Sequence, residues 1–206
     1  MNFWANVLRV QTYLSMELFS FSHSRLQGLA LRMRRGDEDA ARALYEELAE
    51  KVFGFCMARV GNRALAEDLT QDIFIKLVEY IKMFDPAKGK FLVWFWRLAR
   101  NTVIDHYRKG KETAFSDLSK EDENDRPEES LVWTESPEKA TEQKLALGEV
   151  YAALAILSHE EQELFRLRYV AELSYREMSH ILGREEGALR VATSRLKKKL
   201  QLHIRP

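Results

Sequence analysis

The chain has 206 residues, 46% of them hydrophobic and 31% charged, with 9 Gly and 4 Pro. That is enough for one or two domains with buried cores, and it excludes a disordered, collagenous or low-complexity protein. Its 32 basic and 32 acidic residues cancel, yet residues 110–142 hold eleven acids against four bases, a net of −7, while residues 184–206 carry a net of +5. Charge sorted in this way points to a polyanionic partner for the basic stretches.

Apolar residues recur at three- and four-residue spacing, so an all-α chain is expected. Residues 1–18 are mildly hydrophobic but are interrupted by Asn2, Asn6, Arg9, Gln11 and Glu17, which argues against a signal peptide or a membrane span. A first helix is predicted over 26–35, ending at Gly36. Asp37 is a natural N-cap for a second helix reaching Arg59, before Gly61 and Asn62. This second segment carries Cys56, the sole cysteine, so neither an intrachain disulfide nor a cysteine-built zinc site is expected, and a reducing, cytoplasmic setting suits it. A third helix from Asn62 places Leu69, Ile73, Leu77 and Ile81 on one stripe and Glu67, Asp68, Gln71, Asp72, Lys76 and Glu79 off it. Asp85, Pro86 and Gly89 break that pattern.

A fourth helix over 91–109 reads FLVWFWRLARNTVIDHYRK. Phe91, Leu92, Phe95, Leu98, Ala99 and Thr102 share one face, and Trp94, Arg97, Asn101, Ile104 and Arg108 lie round the other. With the loop before it, this stretch (82–111) is net +6. Cations interleaved with rings suit single-stranded nucleic acid, in which free bases stack on aromatics, although by composition alone an aromatic stripe at helical spacing is more often core with a wet basic back. Residues 110–136 then read as an acidic, flexible linker.

Helical pattern resumes with Ser136 as N-cap and Pro137 in the first turn. Ser158 with Glu161, and Ser174 with Glu177, have the spacing of capping boxes. Gly183 is placed to end a short helix in a left-handed turn before a basic helix over 185–202, which is the grammar of a helix-turn-helix. On the basic helix Leu189, Ala192, Leu196 and Leu200 face inward, while Gly187, Val191, Ser194 and Lys198 face outward, flanked by Arg190 and Arg195. Such a face fits a major groove: arginine forks onto guanine, Val191 meets a thymine methyl, and Lys197, Lys198 and Lys199 neutralise phosphates. The competing reading is a solvated basic face on an ordinary bundle helix.

In order and spacing the motifs resemble those of bacterial extracytoplasmic-function sigma factors. Residues 66–74 (AEDLTQDIF) resemble the segment by which that family's first module docks on the clamp helices of core RNA polymerase. Residues 94–105 (WFWRLARNTVID) resemble its promoter-melting helix, and 173–178 (LSYREM) with 186–191 (EGALRV) resemble its second-module helix-turn-helix. The resemblance covers residues 29–111 and 143–202, and implies two helical modules, sigma region 2 at 26–111 and region 4 at 139–206, joined by the acidic linker at 112–138. Residues 1–25 are an extension that matches nothing in the family.

The resemblance further implies an alternative sigma factor, a protein that performs no covalent chemistry and needs no metal or cofactor. It would bind core RNA polymerase, recognise −35 and −10 type promoter elements and promote melting for transcription initiation. Asp68, Gln71, Asp72 and Lys76 would face the polymerase. The loop 83–90, with Phe84, Lys88 and Lys90, would hold a flipped base, and Trp94, Arg97, Asn101 and Arg108 would contact the downstream element as nontemplate single strand. Arg184, Arg190, Val191, Ser194, Arg195, Lys197 and Lys198 would read the upstream element as duplex. An anti-sigma protein that wedges between or covers the modules is the implied regulatory partner, and the acidic linker would lie in the polymerase channel that later receives RNA. Arg184 and Glu185 after the turn glycine, and Ala192 where the family often has Arg, depart from the pattern and point to a weaker or altered upstream contact.

Two other functions have partial support in the sequence. Asp105-His106 and Glu177-x-x-His180 are fragments of acid-base and di-iron chemistry, but the second Glu-x-x-His and every phosphate-loop or nucleophile-elbow motif are missing from the sequence. A repressor or activator would use the same helix-turn-helix and leave the third and fourth helices unexplained.

Overall fold

In a computed structural model, the backbone is described for residues 15–117 and 156–203, and side chains for residues 23–108 and 156–202. Seven α-helices occupy those residues: α1 Ser15–Arg34, α2 Glu38–Val60, α3 Arg63–Tyr80, α4 Phe91–Asp117, α5 His159–Phe165, α6 Tyr175–Leu182 and α7 Glu186–His203. A 3-10 turn, Ile81–Met83, follows α3, and a π-helical turn, Arg166–Val170, prolongs α5. No strand occurs among the described residues.

Local chemistry sets the boundaries. The Asp37 carboxylate accepts from the Ala40 amide (3.0 Å), and the Asn62 amide oxygen accepts from the Leu65 amide (3.0 Å), each satisfying an orphan donor of a first turn. Both Ser-x-x-Glu pairs form reciprocal capping boxes, at Ser158/Glu161 and Ser174/Glu177. Gly183 ends α6 at φ 67°, a left-handed conformation that costs glycine nothing, and its N–H returns to the Ser179 carbonyl.

Two boundaries differ from expectation. α1 begins at Ser15 rather than Leu26, so part of the supposed extension is continuous with the first helix. No breaker separates the two stretches, and Met16, Glu17 and Leu18 are tolerated or favoured in helices. α4 runs through Gly110 to Asp117, into what reads as linker. One interior glycine costs only about 1 kcal/mol, and Lys111, Glu112 and Ala114 after it are good helix formers. The rest of the acidic linker and the helix expected after Pro137 lie outside the described residues.

The apolar stripe of α3 is buried as expected, with Leu69, Ile73, Leu77 and Ile81 all in the core. Around it runs a chain of rings: Tyr45–Phe74 at 4.7 Å, Phe74–Phe95 at 6.2 Å, Phe95–Trp96 at 5.4 Å and Trp96–Phe55 at 5.2 Å between centroids. Each fully buried large side chain contributes roughly 1.5–3 kcal/mol, and each ring pair about 0.5–1.5 kcal/mol beyond that. Leu164, Leu167, Leu173, Met178, Leu189, Leu196 and Leu200 fill the core of α5–α7.

The two halves share a seam. Arg166 from the second half sits over the Phe55 ring, Cζ 5.3 Å from the centroid, and Gly54 on α2 leaves just enough room for Val170, whose Cγ1 would lie 3.4 Å from an added Cβ. Arg166 is 5% exposed, and its Nε and Nη1 have no hydrogen-bond partner. Burial, with the nearby Arg59 cation second, pulls its pKa down to about 10.

Candidate nucleic-acid interface

Three surfaces carry the predicted residues. On α3, Asp68, Gln71 and Asp72 are exposed and Lys76 is half-buried, all pointing away from the stripe that packs inward. The same helix also exposes Ile75 (55%) and Val78 (62%) to solvent. These two apolar residues were missed by the sequence reading, which assigned only polar positions to that side. Their signal was present in the spacing: Gln71, Ile75 and Val78 follow one another at four- and three-residue steps, off the buried stripe.

The second surface is α4 with the loop before it. The Gln27 side chain on α1 accepts from the Phe91 amide (2.8 Å) and so caps the start of α4. Asn101 and Arg108 are exposed, Arg108 lying 3.5 Å from Asp105, and Lys88 is exposed in the loop, 4.0 Å from Asp85. Trp94 is half-buried, its ring 5.6 Å from Phe84 and 6.1 Å from Phe91. Phe84 requires correction. At 1% exposure, between Phe91 and Trp94, it is a core residue that holds the loop down and has no face left for a base. The exposed side chain at this corner is Met83 (73%).

The remaining cations of this surface are engaged by the second half of the chain. Lys90 Nζ lies 3.3 Å from Glu177 Oε1. Arg97 Nη2 donates to the His180 carbonyl, one of the otherwise orphan acceptors in the last turn of α6. Arg100 Nε donates to Glu163 Oε1 at 2.5 Å. Glu177 is the hub: it closes its capping box with Ser174, and His23 Nδ1 lies 3.5 Å from its Oε1. Burial pushes the Glu177 carboxyl up, but hydrogen bonds from His23 and Ser174 outweigh this and hold it well below the usual carboxylate range. With those partners Glu177 is a structural anion, whatever its spacing from His180.

The third surface is the outward face of α7. Gly187, Val191, Ser194 and Lys198 are exposed as expected, with Arg190 and Arg195 beside them and Lys197 half-buried. Arg190 stacks over the Tyr175 ring (4.8 Å) and reaches Glu186 (3.7 Å), which orders its guanidinium at the rim. Arg184 pairs with Glu160 on α5. Lys199 also turns inward, its Nζ 2.8 Å from Glu161. Burial raises the Glu161 carboxyl, while Lys199 and the Ser158 cap together lower it further, so the pair stays ionised. Lys199 therefore pins α7 to α5 rather than standing beside Lys197 and Lys198 as a phosphate contact.

Comparison with known proteins gives consistent matches. The family model for Sigma-70 region 2 matches residues 44–113, and that for Sigma-70, region 4 matches residues 147–200. The chain is 30% identical over 162 residues to the ECF RNA polymerase sigma factor SigM of Bacillus subtilis, covering 77% of this chain and 91% of the relative. It is 26% identical to SigW of the same organism, covering 84% and 94%. It is 29% identical over 170 residues to BldN of Streptomyces coelicolor, covering 81% of this chain and 61% of that protein's length. Among solved structures it resembles CnrH in complex with the cytosolic domain of CnrY (TM-score 0.63, 19% identity, 86% and 96% covered). It also resembles the sigma factor RpoE in complex with the anti-sigma factor NepR from Bartonella quintana (TM-score 0.57, 21% identity, 79% and 95% covered).

Proposed function

The chain belongs to the ECF RNA polymerase sigma factors, and from that premise we propose how its surfaces divide the work of an alternative sigma factor in transcription initiation. The α3 face with Asp68, Gln71, Asp72 and Lys76, extended by Ile75 and Val78, docks on the clamp helices of core RNA polymerase. Exposed apolar residues ringed by acids suit a helical partner better than they suit water. The α7 face reads the upstream, −35 type element as duplex, with Arg190 and Arg195 on base edges, Val191 against a thymine methyl, Ser194 in between, and Lys197 and Lys198 on phosphates. Arg184, paired with Glu160, orients the turn at the edge of the same surface.

The α4 surface takes the −10 type element. Trp94, Arg97 and Asn101 contact the melted nontemplate strand, with Lys88, Lys90 and Arg108 following its backbone, so that binding energy offsets the cost of unstacking. The protein then contributes no covalent step of its own, and the chemistry belongs to the polymerase. It acts in the cytoplasm, where core polymerase and DNA are found. An anti-sigma protein is the expected inhibitor, in keeping with the anti-sigma factor NepR in complex with one of the structural neighbours.

One observation carries this division: two faces turned away from the core, the acidic and apolar face of α3 and the basic face of α7, are both largely exposed in one chain. The test is transcription in vitro with purified chain, core polymerase and a genomic library. Defined start sites that depend on the chain are expected, and a failure to bind core or to initiate anywhere would end the proposal.

A further inference from the structure

Two arginines from different elements lie over one ring. The guanidinium carbons of Arg168 and Arg190 are each 4.8 Å from the centroid of Tyr175. Arg168 belongs to the π-helical turn, Tyr175 opens α6, and Arg190 stands on the outward face of α7. A line of contact therefore runs from the turn before the helix-turn-helix to its reading surface.

The inner part of that line is fixed. Arg168 Nη1 donates to the Leu173 carbonyl at 2.7 Å, and the Leu173 amide returns to the Leu167 carbonyl at 3.0 Å, so the first cation is tied to the backbone of its own turn. Tyr175 is half-buried and follows Ser174, which the capping box with Glu177 locks. The outer part is free to meet a partner, since the Arg190 side chain is 63% exposed and its ion pair with Glu186 is loose at 3.7 Å.

An exposed arginine samples many rotamers, and a two-pronged hydrogen bond to a base edge tolerates few of them. A ring against the flat face of the guanidinium removes part of that freedom before DNA arrives. It does so without occupying the in-plane N–H groups that a base needs. A carboxylate cannot do the same, because it takes those donors for itself.

We infer that Tyr175, steadied by Arg168, is a positioning residue that sets how strongly Arg190 discriminates among bases, so that part of the upstream sequence preference is decided outside the recognition helix. This rests on the assignment of α7 to duplex reading. Tyr175 acts through Arg190 and needs no contact of its own with DNA.

The test uses the full chain bound to core polymerase, selecting from a duplex pool randomised over the upstream element. Arg190→Ala identifies the base pair that Arg190 reads, as the position whose preference disappears. Tyr175→Leu is expected to lower the preference at that position by about two- to fivefold, the size of an exposed cation–ring interaction, while other positions keep theirs. Tyr175→Phe retains the ring and should retain the preference. In the Arg190→Ala background Tyr175→Leu should have no further effect there. Arg168→Gln leaves the ring in place and is expected to give a smaller loss at the same position, and it decides the matter where Tyr175→Leu weakens folding.

An unchanged preference in Tyr175→Leu, or Tyr175→Phe behaving as Tyr175→Leu does, would overturn the inference. So would a loss spread evenly over all positions, which is what a phosphate contact or a loosened fold produces. If Arg190→Ala alters no position, the assignment of α7 fails and takes this inference with it. If it alters one that Tyr175→Leu leaves alone, the assignment stands and only the role of the ring falls.

Discussion

α4 and α7 are both amphipathic helices with a cationic outer face, and they differ in what the fold does with that face. On the outward face of α7 the cations stay exposed or pair along the helix, as Arg190 does with Glu186 one turn earlier, and Lys199, which turns inward, pairs with Glu161 of the same half. At the start of α4 the partners come from far along the chain: Lys90, just before the helix, meets Glu177 across 87 residues, Arg97 meets His180 across 83 and Arg100 meets Glu163 across 63, while Arg108 further on pairs locally with Asp105. Charge composition alone does not separate a face that is presented from one that is held. The separation comes from whether another element with complementary acceptors packs against it.

The strongest way to break this comparison is at the shared seam. Phe55→Ala removes a ring that is 1% exposed and packed between Trp96 and Arg166. It should cost about 3–5 kcal/mol in denaturant unfolding, with both modules losing protection in hydrogen exchange. Loss of protection in α2–α4 alone would show that the halves do not share a core. Arg166→Met acts in the opposite direction. Replacing a buried cation with two unpartnered nitrogens by an apolar chain of similar length should stabilise the folded chain against denaturant by about 1–4 kcal/mol.

Single-face variants sharpen the contrast. Arg190→Ala should weaken upstream duplex binding by about 1–3 kcal/mol and leave the scattering profile unchanged, because its contacts lie within the second module. Asp72→Lys, on the exposed face of α3, should lower affinity for core polymerase by on the order of 1.5 kcal/mol without altering duplex binding.

The smallest expected effect is with acid. Glu177 has its carboxyl pKa held down in the folded chain, so its contribution is complete above the ordinary value of 4.5 and is lost as pH falls through the lower, folded value. Thermal stability should therefore decline below about pH 4.5, and Glu177→Gln should flatten that decline at the cost of a lower plateau.

Much of the architecture was legible because it is local. Capping at Asp37, Ser158 and Ser174, the turn at Gly183 and the apolar stripe of α3 each depend on residues three or four positions apart, which a sequence displays directly. The outward face of α7 followed from the same periodicity. Phe84 did not, because a loop phenylalanine reads equally as a base-stacking ring or a plug, and only the positions of Phe91 and Trp94 decide that it is a plug. Trp96, fully buried, was likewise placed on neither face of α4 by the wheel.

The sequence by itself determined most of the described helices, the capped ends at Asp37, Ser158, Ser174 and Gly183, the two-module grammar and which helices carry acid or base on their outer faces. Tertiary structure alone decided that α1 reaches both modules through Gln27 and His23, that Arg166 is sealed into the seam, and that Lys90, Arg97 and Arg100 are held by the second half while Arg190, Arg195 and Lys198 stay exposed. The physical reason is range. Hydrogen bonds within a helix and burial of its stripe act over one or two turns, but an ion pair between residues more than sixty positions apart exists only once packing has brought the two helices together.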